Sequence, residues 1–338
     1  MKKGFRTLFF LIGVGGILLL LKGANLNGQD WESLLRPELF LQLGAQLLLW
    51  VGIFIIHTGI YLFIIGPESK RVGFLRMFKI CVAGVALNNV TPAGLVGGEP
   101  YRILELKRFM SSEKAVSSTL TFSLLYALGH SMLWGAAVVV YVAFGCPGSL
   151  GISLMMILGG ALSIFFCVYF FAKKRGGLVL PFLHFLAKIP LLTKFIEKRI
   201  EKNQQLFEDI DAGISSFRET PRRFRKAVLL EFVSRLMEAV EYWLIMRYFG
   251  LQAHFLEALL VMGTASLIGN LLFLIPMQAG TREGGTCLAM LWVGGTEAVG
   301  MLTSLLFRVR ELITTAIGIL MILVEKKTLQ EFEKMDDA

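Results

Sequence analysis

Charged side chains are scarce. They make up 17% of the 338 residues, well short of the quarter or so found in soluble domains, which excludes a water-exposed surface over most of the chain. Cysteine is scarcer still: Cys81, Cys146, Cys167 and Cys287 form no C-x-x-C pair and have no histidine pair beside them. Neither a disulfide framework nor a metal site is readable, so the four read as buried thiols. No Walker-type phosphate loop is present, so nucleotide hydrolysis by this chain is not expected. Nothing matches a nucleic-acid-binding motif, and no cofactor is implied. What the chain has instead is apolar length: 55% hydrophobic residues and a mean hydropathy of +0.66 point to an integral membrane protein.

Crossing a hydrocarbon core of about 30 Å takes about 20 apolar residues. Six runs qualify, roughly Phe5 to Leu21, Leu39 to Ile65, Ala115 to Phe144, Ile152 to Phe171, Ala227 to Tyr248 and Val299 to Val324. The first follows a basic Met-Lys-Lys start without a small-residue cleavage site after it, so it reads as a retained anchor. Lys and Arg are retained on the cytoplasmic side of a membrane. With the amino terminus inside, 27 of the 34 Lys and Arg residues fall in cytoplasmic segments or at their edge, most of them between Lys173 and Lys226. Topology and anionic inner-leaflet lipid then account for the net charge of +9, with no nucleic-acid partner needed. The stretch LVLPFLHFLAKIPLLTKFIEKRI interleaves apolar and basic residues and reads as an amphipathic helix lying on the inner face. The expected organisation is one transmembrane domain over 1–324, with repeat halves at about 39–145 and 227–324 joined by the basic linker 173–226, then a short cytoplasmic tail, 325–338.

Two regions break the apolar pattern, about Phe78 to Met110 and about Leu256 to Gly295. The first holds NNVTPAGLVGGEPYR and the second NLLFLIPMQAGTREGG. In each a proline is followed seven residues later by glutamate, Pro92 to Glu99 and Pro276 to Glu283. Glycines lie between (Gly94, Gly97 and Gly98; Gly280) and asparagines before (Asn88 and Asn89; Asn270). The helix ahead of the first break runs outside to inside, and Ala227 to Tyr248, ahead of the second, runs inside to outside. Inverted repeats with paired broken helices are a transporter pattern, with the binding site near the bilayer midplane. Backbone groups freed by proline cannot stay unpaired in lipid, so they line a protein-enclosed, wettable cavity. The bland alternative is glycine and proline kinking ordinary packed helices; the duplicated spacing argues against it. The fold class expected is all-α: a polytopic membrane protein with about six full spans plus two Pro/Gly-broken re-entrant helix pairs in an inverted repeat.

Charges recur where lipid should forbid them. Glu231, Arg235, Glu238 and Glu241 fall on one helical stripe, and Arg308, Arg310 and Glu311 lie inside the last apolar run. A charge at the bilayer centre costs about 2.5–3.5 kcal/mol on insertion scales, so these groups face one another or water. Expected pairings are Arg235 with Glu231 or Glu238, Arg308 with Glu311, and Arg282 with either glutamate stripe. Arginines suit a phosphate or carboxylate through bidentate bonds; glutamates suit a proton or cation. Mutually satisfied structural ion pairs are the competing reading. His57 and His130, in mid-run, are more often satisfied by a hydroxyl or carbonyl than used for proton transfer.

NNVTPAGLVGGEPYR, followed much later by IPMQAGTREGG, resembles the flippase-like family related to the membrane region of lysylphosphatidylglycerol synthetase, which includes hopanoid-biosynthesis-associated membrane proteins. The likeness runs from about Phe5 to Val324. It implies a lipid translocase of the bacterial cytoplasmic membrane, whose motif residues map to Asn89, Pro92, Gly97, Gly98, Glu99 and Arg102, then Pro276, Gly280, Arg282 and Glu283. Gln278 makes the second motif more polar than the family pattern. A soluble aminoacyl-transferase domain, attached in bifunctional members, is expected to be absent. Asn270 and Arg308 complete the candidate binding set; Glu231, Arg235, Glu238, Glu241, Arg310 and Glu311 support it. No catalytic residue and no metal ligand is assigned. Two other functions compete: a membrane-embedded enzyme on a lipid head group, with Glu99 or Glu283 as acid or base, and a non-transporting scaffold that docks lipid-biosynthetic enzymes on the basic linker.

Overall fold

The structure is a computed structural model and describes residues 36–91, 97–172, 179–188, 193–271 and 278–336, together with Lys22, Gly28 and Glu32. The run Phe5 to Leu21, and both Pro92 and Pro276, lie outside these residues. Among the described residues all regular structure is helical.

The first half comprises α1 (Glu38–Ile65), α2 (Phe74–Val90), α3 (Gly98–Leu106) and α4 (Ser112–Ala143). Then α5 (Leu150–Ala172) and the linker helices α6 (Val179–Leu186), α7 (Thr193–Lys202) and α8 (Gln204–Arg218) lead to the second half. That half comprises α9 (Pro221–Tyr248), α10 (Phe255–Leu271), α11 (Thr281–Trp292) and α12 (Glu297–Asp336). Among the described residues, three stretches are long and apolar enough to cross a membrane: Glu38–Val72, Ser112–Ala143 and Leu150–Phe171. The expected runs Ala227 to Tyr248 and Val299 to Val324 are continuous within α9 and α12, but their charges set them apart from those three. α12 also carries on through 325–336, read from sequence as a tail.

Local signals set the ends. Ser111 caps α4 by accepting from the Lys114 N–H, and Pro221 sits at the first position of α9, where its missing N–H costs nothing. Both helices stop in the same way. Gly145 and Gly250 adopt positive φ, and the next residue's N–H reaches back to Tyr141 or Met246, closing the last turn.

A shift of 184 positions carries Pro92 to Pro276 and Glu99 to Glu283. The same shift brings each of α1 to α4 onto α9 to α12, within three residues at every start. The lengths agree: 28 residues for α1 and α9, 17 for α2 and α10. The direct counterpart of the segment ahead of the first break is therefore α10, where the sequence pointed to Ala227 to Tyr248. Corresponding helices α1 and α9 are antiparallel, since Gly66 faces Arg223, His57 faces Ser234 and Gly52 faces Met237. Two further contacts are exchanged between halves: α2 packs on α12, where Gly318 abuts Ala86, and α10 packs on α4, where Gly263 abuts Ala137.

The linker is more than a surface helix. Ile210, Ile214 and Phe217 of α8 join the same apolar cluster as Leu125 of α4 and Ile80 of α2, and Gly213 lies directly against Ser117. The buried Asp211 carboxylate accepts the N–H groups of Val179 and Leu180, capping α6 and favoured there by the helix dipole. Exposed apolar residues concentrate on α5 and on the outer face of α1, with Leu158, Leu162, Phe40 and Leu41 all above 60% exposed. Acyl chains are the natural solvent for such surfaces.

Candidate functional site

Both breaks open into helices that begin with charge. At the first, the Gly98 N–H donates to Asn88 Oδ1 at 2.7 Å, Asn88 Nδ2 to Glu99 Oε1 at 3.4 Å, and Arg102 Nη1 to the same oxygen at 3.2 Å. Arg102 is 4% exposed. Gly84 of α2, lacking a side chain, leaves the notch that its guanidinium fills, and the Phe122 ring of α4 lies 5.6 Å away. Among the described residues, Glu99 Oε2 and Arg102 Nε have no hydrogen-bond partner. Asn89 crosses between halves, its Nδ2 donating to Thr315 Oγ1 of α12 at 2.9 Å.

The second break is more fully paired. Gly280 has φ of +81°, and its N–H donates to Glu283 Oε2 at 2.7 Å, while Arg308 Nε donates to Glu283 Oε1 at 2.7 Å. Glu283 is thus both the cap of α11 and the anchor of a cation from α12. Glu311 bridges two arginines, accepting from Arg282 Nη1 and Arg308 Nη1 at 2.7 Å each. Gln278, a non-glycine at φ of +54°, presents its backbone oxygen to Arg308 at 3.4 Å. Asn270 Nδ2 donates within its own helix, to Ser266 O at 2.8 Å.

Between the breaks lies a third cluster that the sequence showed only as a stripe. Arg235, wholly buried, reaches Glu238 Oε1 at 2.7 Å, Glu231 Oε1 at 3.1 Å, His57 Nε2 at 3.1 Å and His130 Nε2 at 3.2 Å. Its guanidinium sits 4.5 Å from the Tyr126 ring centre. Glu231 fits because Gly129 of α4 leaves room for its side chain. Glu241, on the same stripe, turns the other way: Arg310 Nε and Nη2 donate to its two oxygens at 2.9 and 3.1 Å. His57 lies within electrostatic reach of Arg102 and Arg235, and His130 within reach of Arg235 and Arg282. The two histidines thus lie between the Arg235 cluster and the arginines that follow the breaks.

The expected pairings of Arg235, Arg308 and Arg282 are all present. The partner of Arg310 had no sequence signal, and neither did the recruitment of His57, His130, Asn88 and Thr315. No group of three or more metal-ligating side chains occurs among the described residues.

Residues 7–318 match the family of the lysylphosphatidylglycerol synthase TM region. The chain belongs to that family. A "UPF0104 membrane protein" of Pyrococcus horikoshii is 25% identical over 342 residues, covering 96% of this chain and 98% of its own. No solved structure matches this chain. Membership agrees with the apolar helices in making this a multi-pass membrane protein. Within the family's matched segment lie both breaks and the whole polar band.

Proposed function

We propose that the chain is a lipid translocase that works by alternating access. One observation carries this reading: two antiparallel halves, exchanged in their packing, each bring a helix break with a following glutamate into one buried polar band. α2 and α10 are 17 residues each, about 25 Å at 1.5 Å per residue, somewhat short of a full crossing. Each, with the short helix after it, is read as a re-entrant pair. The apolar run Phe5 to Leu21 and α1, α4, α5, α9 and α12 supply six spans, with the amino terminus and the linker on the cytoplasmic side. α6 to α8 present basic residues there to anionic inner-leaflet lipid or to a lipid-biosynthetic enzyme.

The substrate is an amphiphile with an anionic head. Arg102, Arg282 and Arg308 already bind carboxylates, so a phosphate would replace Glu99 or Glu311 as their partner, and the displaced carboxylate would take a proton or water in its place. Arg102 is the best placed, because its Nε has no partner and Glu99 holds it through one oxygen only. Catalysis is not part of this reading: the Ser234 hydroxyl, 3.3 Å from His57 Nε2, donates its hydrogen to the Glu231 backbone oxygen rather than to the ring.

Proteoliposomes carrying fluorescent phospholipid or polyprenyl-phosphate analogues test it. Wild type should exchange at least one anionic class between leaflets. Arg102→Gln should slow that exchange by about tenfold or more, the effect of losing one charge-assisted hydrogen bond of ~1.5–3 kcal/mol. Exchange unchanged in Arg102→Gln and Glu99→Gln, with both variants folded, would return these residues to structural ion pairing.

A further inference from the structure

The polar band does not balance. Among the described residues it gathers Arg102, Arg235, Arg282, Arg308 and Arg310 against Glu99, Glu231, Glu238, Glu241, Glu283 and Glu311, so one carboxylate lacks a cation. The surplus lies at Arg235, which serves both Glu231 and Glu238. Glu231 is 1% exposed, and neither of its oxygens accepts a hydrogen bond of good geometry. A buried carboxylate that shares its one cation and lacks a well-aligned hydrogen bond is costly, and a proton is the smallest remedy.

The surroundings say where that proton sits. His57 Nε2 of α1 lies 3.4 Å from Glu231 Oε2, and both atoms are acceptors unless a hydrogen stands between them. Ser234 Oγ, 3.3 Å from Nε2, donates its own hydrogen to the Glu231 backbone oxygen at 2.7 Å, so it too faces the ring as an acceptor. Against these two acceptors stands one donor, Arg235 Nη2 at 3.1 Å. With Nε2 protonated, the ring donates toward Glu231 and Ser234, and Arg235 is held by Glu238. With Nε2 bare, the ring accepts from Arg235, and Glu231 must carry the proton or rest on the arginine it shares with Glu238. The other titratable groups facing the pair are Tyr126 and His130 from α4 and Glu238 from α9, with Arg102 of α3 within electrostatic reach. A metal cation is disfavoured by the guanidinium 3.1 Å from Glu231.

The repeat sharpens the point. The shift of 184 positions that relates the halves places Glu241 at the position of His57, and Arg310 at that of Tyr126. In the second half these two form a fixed, two-bond ion pair between α9 and α12. In the first half the carboxylate is replaced by the one side chain that titrates near neutrality. We infer that His57 and Glu231 hold one exchangeable proton, and that this proton, rather than one on Glu99 or Glu283, is the coupling ion of the translocation cycle. The cycle takes one proton from one side and returns it to the other, with no other bond made or broken. The coupling half of this inference rests on the translocase reading; the proton site does not.

The test has two arms on the full chain in proteoliposomes. Infrared difference spectra between acidic and alkaline buffer should show imidazole and carboxylic-acid bands of the pair. Glu231→Gln should lose the carboxylic-acid band, and His57→Gln the imidazole bands. In a vesicle of phosphatidylglycerol and phosphatidylcholine with fluorescent phosphatidylglycerol as probe, an imposed pH gradient should drive exchange in wild type, and His57→Gln should lose the gradient dependence. Spectra without a pH-dependent band from either residue, across the range where the protein stays folded, would overturn the proton site. Bands present with gradient-independent exchange would overturn the coupling role. Bands present with no exchange of any probe would leave the proton site standing and count against the translocase reading itself. Should Glu231→Gln fail to fold, His57→Gln carries both arms.

Discussion

A buried arginine is defined by the carboxylate it meets, and that partner can come from its own helix or from another. Sequence spacing predicted Arg235 with Glu231 and Glu238 because all three lie on one helix at steps of three and four. It was silent on Arg310, whose partner Glu241 sits on α9, 69 residues away. The same limit hid His57, which looked like a lone membrane histidine until α9 was packed against it. The Arg310–Glu241 pair gives a direct test of the cost of burial. Arg310→Leu or Glu241→Leu alone should destabilise by about 3–5 kcal/mol, since each strands the opposite charge. The double variant should recover much of that loss. Thermal or denaturant unfolding in detergent measures the cycle, and single variants with near-wild-type stability would show that the pair is hydrated rather than buried.

At the level of helices, the breaks were legible and their neighbours were not. Proline and glycine punctuate a chain strongly, so the ends of α2 and α10 and the starts of α3 and α11 fell where expected. What precedes the second break was obscured because Phe255–Leu271 is apolar throughout and resembles part of a longer span. Only the matching 17-residue length of α2 and α10 exposes it as one half of a duplicated unit. Which helix touches which was beyond periodicity, because α9 and α12 are amphipathic around charges that face inward. The exchanged packing predicts a cross-link. In a background without native cysteines, Asn89→Cys with Thr315→Cys should form a covalent bridge, their present side chains being 2.9 Å apart. After protease cleavage between α7 and α8, non-reducing gels should keep the halves joined; halves that separate would refute the α2–α12 contact.

For the whole molecule, the exchange means that neither half carries its own complement of partners. α2 needs α12, α10 needs α4, and the polar band draws α1, α3, α4, α9, α11 and α12 together. Fragments ending at residue 188 and beginning at residue 193 should therefore accumulate and copurify when produced together, because the cut falls outside every helix that contributes to the band. Each alone should be poorly stable, as judged by its melting in detergent. A first half that melted as well alone as in company would show that the halves are independent units.

The crossing of α2 onto α12 also fixes a timetable. From Ala143 to Thr315 the ribosome adds about 170 residues at roughly 5–20 residues per second, on the order of ten seconds or more. Throughout that interval Asn89 lacks its partner Thr315, the Glu231 and Arg235 that will face His57 arrive only midway, and the groove meant for α12 lies open to lipid. The nascent first half must either shelter in the insertion machinery or tolerate the exposure. Translation that stalls late in the second half would thus leave in the membrane an intermediate with unpaired polar groups, a target for intramembrane quality control rather than a partly working protein.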